Sequence, residues 1–378
     1  MSWLIIALIF FFSFSCLGIF FALPKILQEK KLRLAQGTLL LWNIFGILTL
    51  PYSVVPRPVW WARGLLEAVV IGFVVQVFLL GLVFVAVCLR FFWRQVKTVP
   101  VDKNRRQLLK HAALYPAVAV GVSLYGGLEE RTHTVTRKFT IPIANLGAFH
   151  GYRIAQISDV HLGYFYSNQE LQTLLECVAQ EKPDVLCVTG DLFDDVSQND
   201  EAARILDSYV PRFPDGIYFI RGNHEHYRGM NHIESLLQKI RVKELVNTAV
   251  CVHEGERPLW FIGVDYPMDR QHFAEIEKAY AREAFAHVPA EAVKIFLAHH
   301  PDFFDDGLAH GADFTLSGHT HGCQFGFLGM PLIPVFKYNR GLYHFPQMYG
   351  YVHSGNGSWF PFRIGCPPEV AYFTLVEA

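Results

Sequence analysis

The chain has 378 residues, 52% hydrophobic, 15% aromatic and only 18% charged, and at roughly 150 residues per domain it holds two or three domains rather than one small module. Charged residues usually make up about 25% of a globular chain, so the deficit points to lipid-buried segments, while this much apolar sequence excludes intrinsic disorder. A formal net charge of −1 argues against a nucleic-acid binder, which would carry a basic face.

The long uncharged runs all precede position 129: Met1 to Pro24, Leu34 to Pro56, Ala68 to Leu89 and Ala112 to Leu128. A bilayer-crossing helix needs about 20 apolar residues, so an N-terminal all-α transmembrane region of about four helices is expected over 1–128, with spans near 3–23, 37–56, 66–89 and 111–128. Pro51 and Pro116 interrupt the second and fourth runs. The first run lacks the basic start of a cleavable signal and reads as a retained helix. Lys25, Lys30, Lys31 and Arg33 follow it, and seven Lys or Arg residues lie between the third and fourth runs, against Arg57 and Arg63 in the remaining loop. Basic loops stay cytoplasmic, so with four spans the rest of this integral membrane protein lies outside the cytoplasm. If the fourth segment lies on the membrane instead, that domain is cytoplasmic. Arg105-Arg106-Gln107-Leu108-Leu109-Lys110 is similar to a twin-arginine export signal, although a basic cytoplasmic stop is the favoured reading.

After this region, 129–150 reads as a linker and lead-in strand, with a β-branched stretch from Thr132 to Ile143, and 151–378 as an α/β domain of layered mixed sheets flanked by helices. Tyr152 to Ile157 is a short apolar run, and Leu171, Leu174, Leu175 and Val178 share one face of a helix ended by Pro183. Val185 to Val188, Ile217 to Ile220, Trp260 to Val264, Ile295 to Leu297 and Phe314 to Leu316 are further strands, with a helix over Gln271 to Ala284. Seven Cys residues show no paired spacing, so no disulfide framework is expected; Asn356-Gly357-Ser358 matches a glycosylation sequon.

Five strand ends carry metal-type side chains, where open α/β sheets collect ligands. They are Ser158-Asp159-Val160-His161, Thr189-Gly190-Asp191, Arg221-Gly222-Asn223-His224-Glu225, His299-His300-Pro301 and Gly318-His319-Thr320-His321. Singly, each is an ordinary turn or surface loop; five in succession after apolar strands are not. In order and wording the blocks resemble the calcineurin-like metallophosphoesterases, over about the last 230 residues. The Ser158 to Gly163 wording, the stretch from Tyr351 to Glu369 and the membrane attachment look like the YkuE/YaeI-type subgroup. One departure is Cys323, where the family usually has Gly.

Asp159, His161, Asp191, Asn223, His299, His319 and His321 are too many ligands for one ion, and carboxylate, imidazole and amide donors suit two divalent ions such as Mn, Zn or Fe. The resemblance implies one ion on Asp159, His161, Asp191 and His321 and another on Asp191, Asn223, His299 and His319, with Asp191 bridging. Paired ions make hydroxide available near neutral pH for in-line attack on phosphorus. His224 is the expected catalytic residue, protonating the leaving oxygen or stabilising the transition state. Glu225 reads either as an orienting partner for a His or as a surface residue, and Asp194 and Asp195 as outer acceptors or an acidic loop. His226, His344 and His353 read as surface or core histidines, with His353 a candidate for lining the cleft. The leading expectation is a membrane-anchored hydrolase of a phosphodiester or pyrophosphate, with a phosphoester substrate presented on a lipid. The alternatives are hydrolysis of UDP-2,3-diacylglucosamine, implied by the subgroup, and a non-catalytic scaffold or a sensor.

Overall fold

The computed structural model describes residues 13–20, 29–49, 60–96, 114–327, 330–332, 334–358 and 360–378. The chain divides into two compact units, Met1–Glu129 and Glu130–Ala378.

In the first unit, helix α1 covers 13–20 and is followed by α2 (Glu29–Thr49), α3 (Trp60–Val96) and α4 (Leu114–Leu124), which runs into a π-helical turn over Tyr125–Glu130. Each of the four expected spans is helical where it is described. By length and composition, Arg63–Leu82 within α3 is the one candidate span among the described residues. The expected loop over 97–110, with its Arg-Arg motif, lies outside the described residues. Two glycines let α2 and α3 approach: a Cβ at Gly46 would collide with Phe73, and one at Gly72 with Trp42. Between the same helices the buried Asn43 Nδ2 donates to Gln76 Oε1 at 3.1 Å, a polar pairing of the kind that joins helices where water is absent.

The second unit contains two six-stranded mixed sheets. The first runs β1 (Val135–Ile143), β14 (Glu369–Glu377), β2 (Arg153–Ile157), β3 (Val185–Val188), β4 (Ile217–Phe219), β5 (Lys243–Glu244). The second runs β12 (Gly341–His344), β13 (Tyr349–Val352), β9 (Phe314–Ser317), β8 (Val293–Leu297), β7 (Leu259–Gly263), β6 (Thr248–His253). Strand alternation sends Val185 and Cys187 into a core shared with Phe261, Ile295 and Phe314 of the second sheet. Leu186 and Val188 point the other way, as the period of two requires. There they meet α5 (Asn168–Gln180), α6 (Val196–Tyr209) and α8 (Met230–Leu237) through Leu171, Leu175, Leu206 and Ile233. Beyond the second sheet, Ala281 and Phe285 of α9 (Phe273–Phe285) and Phe304 of α10 (Phe304–Ala309) cover Ile262, Phe296 and Val352. The layers are thus helix, sheet, sheet, helix, with strands that read as continuous apolar runs because both faces are buried.

The lead-in strand is part of this architecture: β1 pairs in parallel with β14 from Val135 opposite Glu369 to Ile143 opposite Glu377. Within the two six-stranded sheets, β5, β6, β12, β13 and β14 have no counterpart among the expected strands. The last is central, separating β1 from β2.

Candidate metal centre

The first sheet delivers Asp159 and His161 after β2, Asp191 after β3, and Asn223 and His224 at the start of a short helix, α7 (Asn223–Tyr227), after β4. The second delivers His299 after β8 and His319 and His321 after β9. The two sets meet: His319 N–H donates to Asp159 Oδ1 at 3.0 Å, and His299 Nδ1–H donates to the Thr189 carbonyl at 2.7 Å. Asp159, His161, Asp191, His319 and His321 all hold left-handed backbone, with φ between 50° and 69°. For residues other than glycine such a conformation costs about 1–3 kcal/mol each and persists only where the surroundings enforce it. Space is equally tight at the motif glycines, since a Cβ at Gly222 would strike Asp191 and one at Gly318 would strike Ser158 and Asp159.

Among the described residues donor atoms converge in three groups, each with its ligand atoms within 4.8 Å of one another: His161 with Asp194 and His224, and the two made only of expected ligands, Asp159 with His161 and His321, and Asp191 with His299 and His319. Asp191 Oδ2 lies between them, 3.7 Å from His161 Nε2 and 3.2 Å from His299 Nε2. His161 Nε2 and His321 Nε2 face each other at 3.0 Å. The buried Asn223 Oδ1 accepts no hydrogen bond, although a buried amide oxygen is costly to leave unpaired. Facing imidazole nitrogens, buried carboxylates and an orphaned acceptor suit a divalent metal centre. The titration behaviour agrees. Burial alone would raise the Asp191 carboxyl, yet His299 and His224 hold it well below the ordinary range. Burial alone would lower His299, but Asp191 lifts it to about 10. The carboxylates therefore demand a positive charge here, which metal binding would satisfy while releasing the proton. Burial and neighbouring imidazoles keep His319 and His321 well below their ordinary value, favouring the neutral form that a metal ligand requires.

Glu225 is neither a His partner nor a surface residue. Fully buried, its carboxylate accepts from the backbone N–H groups of Asp191, Leu192, Phe193 and Gly222 at 2.8–3.0 Å. It thereby ties the loop after β3 to the loop after β4. The signal for this was available: a Glu three residues after Gly222 at a helix start is the reciprocal half of a capping box. Asp194 faces His161 Nδ1 at 3.2 Å through Oδ2, while its Oδ1 pairs with His224 Nδ1 at 2.8 Å and Arg228 Nε at 2.6 Å. Burial would raise this carboxyl, but bonds from His161 and His224 hold it well below the ordinary range. Burial works against protonation of His224, yet Asp191 and Asp194 raise it to about 9.

Other residues fall outside the cluster. His300 accepts from Asp302 N–H at 3.3 Å and packs against Phe273 and Phe336. His226 pairs with Asp265 at 2.7 Å, and His344 stacks on Tyr349. His353 is fully buried rather than cleft-lining. The sequon asparagine is buried too: Asn356 Oδ1 accepts from Ser158 N–H at 2.9 Å and Nδ2 donates to the Glu369 carbonyl at 2.6 Å, so the folded unit offers no glycosylation site there. A cavity of about 390 Å³ opens over the cluster, lined by Asp191, Asn223, His224, His319 and His321 and walled by Cys323, Phe325, Val335 and Phe336. Cys323 holds φ 63° there, and its Sγ meets Asn339 Oδ1 at 3.1 Å.

A model of the calcineurin-like phosphoesterase family matches residues 152–323. An uncharacterized metallophosphoesterase of Aquifex aeolicus is 30% identical over 262 residues, 68% of this chain and 97% of that protein. One of Helicobacter pylori is 31% identical over 234 residues, 59% of this chain and 60% of that protein. A transmembrane protein with metallophosphoesterase domain from Danio rerio is 31% identical over 172 residues, 43% of this chain and 38% of that protein. The chain thus spans nearly all of the first relative and under two thirds of the other two.

Proposed function

The chain belongs to the calcineurin-like metallophosphoesterases, and from that premise we propose that it is a membrane-anchored, two-metal hydrolase of a phosphodiester or pyrophosphate bond in a lipid-linked substrate. The observation that carries this reading is the position of Asp191 Oδ2 between His161 Nε2 and His299 Nε2, with the orphaned Asn223 Oδ1 beside them. Asp159, His161, Asp191 and His321 would hold one ion, and Asp191, Asn223, His299 and His319 the other. Two such ions, when bound, lower the pKa of water and neutralise charge on phosphoryl oxygens.

The protein's own groups do the rest. Thr189 O fixes the His299 tautomer, so that Nε2 presents its lone pair. Asp194 holds His224 at the cavity through Nδ1, an orientation suited to giving the leaving oxygen a proton. Glu225 keeps the Asp191 and Asn223 loops in register.

Membrane attachment is supported by the apolar stretch Arg63–Leu82 and by the transmembrane naming of the Danio rerio relative. The distribution of basic residues favours a catalytic unit outside the cytoplasm. The test is to strip metal from the purified full chain, restore Mn or Zn, and assay bis-p-nitrophenyl phosphate beside p-nitrophenyl phosphate. Metal-restored cleavage of the diester is expected; a folded protein that cleaves neither with any metal defeats the proposal.

A further inference from the structure

Among the described residues of the catalytic unit, the four most exposed large apolar side chains are Phe327, Met330, Leu332 and Val335, at 59–68%, against 38–53% for the others. They fall within nine residues, in a stretch from Phe325 to Phe336 that carries no charge. Two short strands, β10 (Gly326–Phe327) and β11 (Met330–Pro331), pair antiparallel here. A hairpin this small is marginal alone. Its base is fixed by Gly326 N–H to the Ile364 carbonyl at 2.6 Å and by Phe325 stacked on Phe362. An exposed apolar patch held on a rigid base marks an interaction surface.

The same stretch walls the metal-ligand cavity through Phe325, Val335 and Phe336. Val335 belongs to both the wall and the exposed set, so the cavity wall continues into the exposed apolar set of the hairpin strands. We propose that this hairpin is an acyl-chain lip, receiving the hydrocarbon portion of an amphiphilic phosphoester whose phosphate sits over the cluster. The inference rests on the phosphoesterase reading and specifies its substrate side. Continuity with the cavity favours a substrate chain over a protein partner, because an occupant of this exposed set is then joined to the reacting centre.

The test uses the metal-restored full chain in amphipol and three water-soluble diesters, methyl, butyl and octyl p-nitrophenyl phosphate. Each methylene taken from water is worth up to about fourfold, so kcat/KM should rise at least tenfold from methyl to octyl. Met330→Asp and Leu332→Asp, both at exposed positions, should bring the octyl-to-methyl ratio toward one while metal content and the thermal midpoint hold. Leu342→Asp, an exposed apolar position on β12, should leave the ratio as it is. A wild-type ratio near one, with the methyl ester cleaved, overturns the lip and leaves the phosphoesterase reading standing. Failure to cleave any of the three esters overturns that reading itself. Asp variants that change the sedimentation coefficient but not the ratio make the hairpin a contact between copies and overturn the lip.

Discussion

The two sheets contribute to the centre in chemically different ways. The first supplies the carboxylates Asp159 and Asp191, the amide of Asn223 and the imidazole of His161; the second supplies imidazoles alone, His299, His319 and His321. Their supports differ accordingly. The oxygen side is surrounded by N–H donors, with His319 N–H on Asp159 and His224 N–H on Asp191 Oδ1 at 2.8 Å. The imidazole His299 is set by an acceptor, the Thr189 carbonyl. Anionic ligands need donors to survive burial, whereas a neutral imidazole needs one acceptor to choose its tautomer. Metal affinity should therefore be more sensitive to the first sheet.

The largest test of that asymmetry is Asp191→Asn, which removes the negative charge lying between His161 and His299. Metal content measured by elemental analysis should collapse, and activity should fall by more than the roughly 10–100-fold typical of losing an outer partner. Retained metal with full activity would break the two-group account. His299→Gln should follow closely in effect, while His300→Gln, next in sequence but packed against Phe273 and Phe336, should keep metal and most activity.

The supports are expected to come next. Glu225→Gln keeps the shape but places an NH2 among four backbone donors, and a buried charged acceptor of this kind is worth about 1.5–3 kcal/mol per bond at most, without additivity. A fall in thermal midpoint together with weaker metal binding is expected; loss of activity alone, at unchanged stability, would make Glu225 a chemical participant instead. Asp194→Asn should cost about tenfold in kcat with metal retained, at the low end for an outer partner, because His161 and His224 both lose a charged neighbour.

How far these roles were legible depends on what the side chain meets. The proposed ligand set stands at strand ends in ordered blocks, because coordination chemistry restricts which residue types could serve. Glu225 and Asp194 act on partners distant in sequence, Asp194 on His161, 33 residues away, so their types alone leave several roles open. The buried strands β2, β3, β8 and β9 are visible as apolar runs. β12 and β13 are four residues each and contain Gly341 and Gly350, which weaken strand propensity despite their tyrosines; they pair with each other, and β13 with β9. β14 carried a usable signal: Ala371, Phe373 and Leu375 face the inter-sheet core while Val370 and Tyr372 face the helices. In the helical unit, apolar runs reveal helices but not partners, and the Asn43 to Gln76 bond depends on a register between α2 and α3 that periodicity does not specify.

The contrast between the sheets extends to the helices behind them, and there the smallest effect is expected. Behind the second sheet, Glu277 of α9 is buried with Oε1 unpaired. Burial, followed by the charges of Asp306, Asp302 and Asp305, pushes its carboxyl up to about 8, with Lys278 opposing. Below about pH 4.5 Glu277 is protonated whether the chain is folded or not, so it adds no pH dependence there. Between about 4.5 and 8 the unfolded chain releases the proton while the folded chain keeps it, and folding stability falls as pH rises. Glu277→Gln removes that titration, so its thermal midpoint should match wild type near pH 4.5 and exceed it at pH 8.5. An equal offset at both pH values would assign the effect to packing and limit the electrostatic contrast between the sheets to the centre itself.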